Sequence, residues 1–155
     1  MKRKKTLGSF LLYIHQLPQN RKARKIIKKN KVYQIRHYKD VDIYYLERND
    51  IGESLGRYII LPKTLKVDYS TALLTETIKH CYGHCQQSKI LGWLYIPLVI
   101  YPARILNGLA KVKWLERWYR KKYYSKYPEK WADKLGKVDR NWIRLKKDYI
   151  NLKGR

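Results

Sequence analysis

Negatively charged side chains are scarce: 12 Asp and Glu stand against 36 Lys and Arg, a net charge of +24 in 155 residues. A chain rich in Lys, Tyr, Ile and Asn follows from AT-rich coding, but that bias does not account for so few carboxylates. The resulting field attracts polyanions, either nucleic acid or an anionic membrane surface. Cysteine is nearly absent. Cys81 and Cys85 stand one helical turn apart, where a bond would brace little, so no disulfide framework is indicated. A reducing, cytoplasmic setting follows as the expectation. Long apolar runs are also missing. Ile90–Leu106 is interrupted by Pro97 and Pro102 and carries Arg104, which leaves it short of the roughly 20 apolar residues of a spanning helix. A buried or interfacial element suits it better, and its Trp and Tyr would fit peripheral membrane association. The run Phe10–Ile14 is too short for a signal-peptide core, and no small-residue cleavage site clearly follows, so the start reads as mature sequence. No internal repeat is visible. Apolar content of 45% argues against wholesale disorder, and the length suits one domain.

Residues 1–31 hold the densest basic clusters, KRKK and RKARKIIKKNK. Residues 21–29 allow a short basic helix, although the charges leave little apolar stripe, and a solvated arm is the expectation. From Lys31 the composition changes. VYQIRHY, VDIYYLE and RYIILP are β-branched and aromatic, as half-buried strands are, and NDIGESLG supplies turn chemistry between them. Then STALLTETIKHCYGHCQQSKILG reads as a helix. Asp68, Ser70 or Thr71 caps its start, Gly92 ends it, and Ala72, Leu73, Ile78 and Leu91 form its apolar side. Gly83 in its interior costs about 1 kcal/mol relative to Ala and marks close packing or a crowded site. PEKWADKLG is a second, short helix, with Pro128 at its first position and Gly136 at its end.

Within the long helix, His80 and His84 lie four apart, on one face and one turn from each other. In that geometry two imidazoles can grip one metal ion. Zinc wants a tetrahedral set and needs a further protein ligand. Glu129 and Asp133 repeat the four-residue spacing on the second helix. Glu129 could complete the shell, and Asp133 could accept the free ring N–H of a ligating histidine and fix its tautomer.

The context of these residues resembles a known arrangement. His-x-x-x-His followed by Glu-x-x-x-Asp is similar to the gluzincin pattern of zinc metallopeptidases. HCYGHCQQSKILGWLYIPLVIYP resembles small bacterial zincin-like proteins that carry HEYGHxxQSxxLGxLYxxVIGxP. The shared positions are His80, Tyr82, Gly83, His84, Gln87, Ser88, Leu91, Gly92, Leu94, Tyr95, Val99, Ile100 and Pro102. YYSKYPEKWADKLGKVDR resembles the group's YY…TEKWADxLGGVxR, and SLGRYIILPK its preceding strand. The likeness covers about residues 54–140. It implies an α+β fold, a minimal zincin-like domain in which a short sheet packs on a histidine-bearing helix beside a Glu/Asp-bearing one. The chain then divides into a basic arm (1–31), a zincin-like domain (32–150) and a tail (151–155). The likeness further implies zinc held by His80, His84 and Glu129, with Asp133 orienting a histidine, and a peptide or protein as substrate.

The departure lies at Cys81. Zincins place there the glutamate that serves as general base. A thiol has a shorter arm and an ordinary pKa of about 8.5, which makes it a poor base at neutral pH. Hydrolysis of the usual kind is therefore expected to be impaired or the scaffold repurposed. Glu76, one turn before His80, is a substitute base only if the helix shifts. Cys81 or Cys85 could instead join a closed structural metal site, although small half-buried filler is the ordinary reading of both. KVKWLERWYRKKYY mixes aromatic and basic residues as single-strand nucleic-acid grooves do. At helical spacing Trp114, Trp118 and Tyr119 serve equally as core anchors.

Overall fold

A computed structural model describes residues 14–48, 52–67, 71–109 and 127–141. The KRKK start, the cap candidates Asp68 and Ser70, the aromatic-basic stretch with Trp114, Trp118 and Tyr119, and the C-terminal tail lie outside them.

The fold is α+β, with a four-stranded mixed sheet between helices. β1 (Val32–Tyr38) and β2 (Val41–Leu46) form an antiparallel hairpin turning at Lys39 and Asp40. β3 (Glu53–Leu55) and β4 (Tyr58–Pro62) form a second hairpin turning at Gly56 and Arg57. β4 lies between β3 and β2 and runs parallel to β2, so the order is β1-β2-β4-β3. This central position explains YIILP, in which every residue is buried. Successive side chains leave opposite faces of a strand, and both faces of β4 are covered. Ile59 and Leu61 join Val41, Ile43 and Tyr45 in one layer, while Tyr58 and Ile60 join Leu46 and Leu55 in the other. β1 is an edge strand and mostly exposed.

Each layer has its helix. α1 (Leu17–Lys29) covers the Tyr58–Ile60 face through Ala23, Ile26 and Ile27. The second half of the basic segment is therefore part of the folded body, not a solvated arm, and the domain begins before residue 32. A stripe does exist there: Gln16, Gln19, Asn20 and Ala23 are buried at helical spacing. Three of these four are polar, so an apolar pattern does not reveal them. Gln16 donates to Ser88 Oγ at 3.1 Å, Gln19 donates to the Gly92 carbonyl, and Asn20 Oδ1 accepts from the Arg57 backbone at 3.2 Å.

A short helix, α2 (Lys63–Val67), leads to α3 (Thr71–Leu91), which covers the other face through Leu74, Cys81 and Cys85. Of the expected apolar side of α3, with Ala72, Leu73, Ile78 and Leu91, only Ile78 packs against the core cluster. Ala72 is exposed, and Leu73, Ile78 and Leu91 are only half-buried. The reason is that α3 is covered twice, by the sheet and by α5 (Glu129–Gly136). Leu74 apart, its buried positions are consequently small or polar: Glu76, Cys81, Gly83, Cys85, Gln87 and Ser88. Gly92, at φ 53°, ends α3 in a conformation that favours glycine. A 3₁₀ turn (Gly92–Leu94) and a π-helical turn (Ile96–Ile100) then lead into α4 (Tyr101–Leu109). Among the described residues no helix is long and apolar enough to cross a membrane.

Candidate metal centre

Backbone contact brings the two site helices together. A Cβ on Gly83 would stand 1.9 Å from the Ala132 carbonyl oxygen, and one on Gly136 would stand 2.0 Å from the Lys79 carbonyl oxygen. Only glycine fits at either position. Gly136 is thus the last residue of α5 and a contact point, while the left-handed cap falls to Lys137 at φ 56°. Pro128 occupies the N-cap rather than the first helical position.

This crossing puts Glu129, in the first turn of α5, against both histidines. Glu129 Oε2 lies 3.0 Å from His80 Nε2 and 3.4 Å from His84 Nε2. One donor atom from each residue falls within 4.8 Å of the others, and these three form a group that could hold a metal ion. Tetrahedral zinc with bonds of about 2.0–2.1 Å separates neighbouring ligand atoms by about 3.3 Å. The two imidazole–carboxylate distances, 3.0 and 3.4 Å, lie near that value. Glu129 is buried, and the His80 and His84 side chains are 17% and 14% exposed, so the cluster keeps some access to solvent.

The ring tautomers are set from behind. His80 Nδ1–H donates to Asp133 Oδ1 at 2.7 Å. Asp133 is in turn gripped by Arg140, whose Nε donates to Oδ2 at 2.6 Å and whose Nη2 donates to Oδ1. On the other ring, His84 Nδ1–H donates to Gln87 Oε1 at 2.8 Å. Gln87 Nε2 donates to the Pro128 carbonyl at 2.8 Å, which fixes the amide with its oxygen toward His84. Both Nε2 atoms are left to face Glu129. Gln87 and Arg140 are site residues that spacing arguments passed over. A signal for Gln87 was available in its position three after His84 on the same helix face.

The charges support one another. Burial alone would lower the His80 pKa, but hydrogen bonds to Asp133 and Glu129 outweigh it and raise the value above the ordinary one. Burial alone would raise Glu129, yet hydrogen bonds from His80 and His84 hold it well below the usual carboxylate range. Asp133 is likewise lowered, because His80 and Arg140 outweigh its burial. Without metal, the cluster is a buried ionic network.

The cysteines stand apart from this group. Cys81 points into the core beneath the sheet, and burial pushes its thiol up to about 11. Cys85 is fully buried in the same cluster, and burial raises its pKa well above the usual value. Neither belongs to the three-residue group. Glu76 is also occupied: its carboxylate accepts from Lys79 Nζ at 2.6 Å and from the Asp139 backbone N–H at 2.9 Å. Tyr82 packs edge-on against Tyr38 at the first hairpin, with Lys39 over its ring. Compared with known proteins, the chain matches no family model, no curated protein and no solved structure.

Proposed function

We propose that this chain binds one zinc ion through His80, His84 and Glu129, on a metallopeptidase-like scaffold of zincin type that has lost its ordinary hydrolytic base. The observation that carries this reading is the convergence of two Nε2 atoms and Glu129 Oε2 at 3.0 and 3.4 Å, with both Nδ1 atoms already committed. Two imidazoles and one carboxylate favour zinc over the hard cations, which prefer all-oxygen shells. Three protein ligands leave a fourth position, the mark of an open site rather than a closed structural one. Zinc in such a site acts as a Lewis acid toward a carbonyl or carboxylate, so a peptide or protein is the class of ligand this reading supplies.

Proton transfer is the missing part. Cys81 occupies the position of the base, faces the core and stays protonated at neutral pH. Glu76 is engaged elsewhere. Loss of general acid–base help costs about 10²–10⁴ in rate, so this zinc centre binds a ligand far better than it hydrolyses one. Metal analysis of the purified chain tests the reading. One zinc per chain is expected, lost on replacing His80 and His84 together by Ala. Absence of zinc from protein loaded and then dialysed, or zinc unaffected by the double change, rejects it.

A further inference from the structure

Large apolar side chains that remain exposed are concentrated in one place. Of twelve such residues among those described, six lie between positions 90 and 105: Ile90, Trp93, Leu94, Leu98, Tyr101 and Ile105. Their exposure ranges from 45% to 63%. The same segment is anchored on its inner side, where Tyr95 and Val99 are each 1% exposed and the Tyr95 hydroxyl donates to the Ser54 carbonyl at 3.0 Å. It is therefore held firmly, with one face in and one face out. The outer face continues onto two further exposed residues. Trp93 Nε1 donates to the Ile14 carbonyl at 3.2 Å, and the Tyr127 hydroxyl donates to the Leu98 carbonyl at 2.8 Å. Eight of the twelve thus form one region, and the Trp93 ring is presented with its N–H already satisfied.

Basic groups border this face. Arg104 lies about 60° around α4 from Tyr101 at 3.6 residues per turn, and it lines an open cavity of about 720 Å³ with Lys22, Lys29 and Arg48. Glu53 is the one acidic side chain in that lining. In sequence, positions 106–126 follow with seven Lys or Arg against one Glu.

We propose that the outer face of residues 90–105 docks on an anionic phospholipid surface, its aliphatic and aromatic side chains entering the boundary between headgroups and acyl chains. The basic side chains beside it meet the lipid phosphates. Charge chooses this occupant over a second copy of the chain, since each copy brings +24 to the contact. Side-chain chemistry chooses it over nucleic acid. Bases stack on aromatic rings, but Ile90, Leu94, Leu98 and Ile105 offer none, whereas a bilayer takes such groups to a depth of about 5–10 Å.

The test uses the full chain with vesicles of phosphatidylcholine, alone or mixed with phosphatidylglycerol, at low salt and at about 0.5 M salt, where charge attraction is screened within a few ångströms. Strong binding to the mixed vesicles is expected, reduced but not abolished by salt. Trp93→Ser/Leu94→Ser/Leu98→Ser, with its circular dichroism unchanged, is expected to bind roughly tenfold more weakly or worse. Quenching of wild-type indole emission by brominated acyl chains provides a readout that needs no folded variant, and Trp93→Phe should remove a large part of it. A folded triple variant that binds as tightly as wild type overturns the proposal, as does binding that vanishes altogether in high salt. No indole quenching, or oligonucleotide binding without vesicle binding, overturns it as well.

Discussion

Gly83 of α3 and Ala132 of α5 meet backbone to backbone, with the Ala132 carbonyl oxygen occupying the space a Cβ on Gly83 would need. His80 and His84 stand on either side of this contact along α3, and Glu129 and Asp133 on either side of it along α5. The crossing distance of two helices therefore sets the distance between the histidine nitrogens and the carboxylates. A second glycine, Gly136 against the Lys79 carbonyl, holds the angle. Glycine inside a helix costs about 1 kcal/mol relative to Ala, and here that cost secures the convergence of four side chains.

Gly83→Ala tests this relationship. Helix propensity alone would stabilise the variant by about 1 kcal/mol, but overpacking of a tight contact costs about 1–3 kcal/mol or more. The contact is with backbone, which cannot rotate away, so the penalty is expected to win. Denaturant unfolding should show net destabilisation, and zinc affinity should fall because the helices separate. A variant more stable than wild type with unchanged zinc binding would remove the crossing from the account.

The partners behind the rings offer a finer test. Gln87→Ala removes the acceptor of the His84 Nδ1–H and the donor to Pro128. Asp133→Ala removes the acceptor of the His80 Nδ1–H. Changing such groups typically costs about 10–100-fold in metal affinity. Gln87→Glu keeps an acceptor toward His84 and should retain more affinity than Gln87→Ala, while losing stability because the Pro128 carbonyl keeps only the Ala132 N–H of its two donors. Competition titrations with a zinc chelator read all three. Equal affinities for Gln87→Ala and Gln87→Glu would show that the histidine tautomer is not set there.

How much of this was legible in the sequence depends on what each residue touches. β4 could be read because its residues are apolar and β-branched, and His80, His84, Glu129 and Asp133 because their four-residue spacing is a helical repeat. The pairing of these two helices was proposed from that repeat, and Gly83 marked the contact without naming Ala132. Residues 21–29 allow a helix, but the packing of α1 on the sheet was hidden because its inward stripe is largely amide side chains, which no hydrophobic pattern detects. Gln87 looked like an ordinary polar residue until its two hydrogen bonds gave it a direction. The core face of α3 is legible only in part, through Ile78, because a helix covered on two sides replaces a broad apolar stripe with small residues such as Cys81, Gly83 and Cys85.

Proton linkage predicts how zinc and pH interact. In the metal-free protein the raised His80 pKa gives stability that is fully present below 6.5, the ordinary value, and is lost as pH rises through the folded-state value. The lowered Glu129 pKa gives stability present above 4.5, its ordinary value, and lost as pH falls through the folded-state value. These two groups together stabilise the metal-free chain most between about pH 4.5 and 6.5. On the proposed reading zinc would displace the His80 proton, so its binding should strengthen as pH rises. The gain in melting temperature on adding zinc should accordingly grow from pH 5 to pH 8. A gain that is flat over this range would mean that His80 does not exchange a proton for the metal.

The thiols separate an open metal centre from a closed one. If Cys81 or Cys85 ligated the metal, its thiolate would be formed at neutral pH and its removal would release zinc. The core position of both residues and the rise of the Cys81 pKa to about 11 point the other way. Cys81→Ala and Cys85→Ala should each retain one zinc per chain and lose on the order of 1 kcal/mol of stability, as small core truncations do. Alkylation by iodoacetamide should be slow in the folded protein at pH 7.5 and fast in denaturant, with or without zinc. Cys81→Glu takes the argument one step further. Because Cys81 faces the core, this change places a carboxylate in apolar surroundings and should lower stability by several kcal/mol. Zinc should remain, and hydrolysis of an unstructured peptide rises above that of the parent only where the longer arm reaches from the core face to the metal. Zinc loss in Cys81→Ala would make the thiol a ligand and the site a closed one, and the account of impaired catalysis would then rest on the wrong residue.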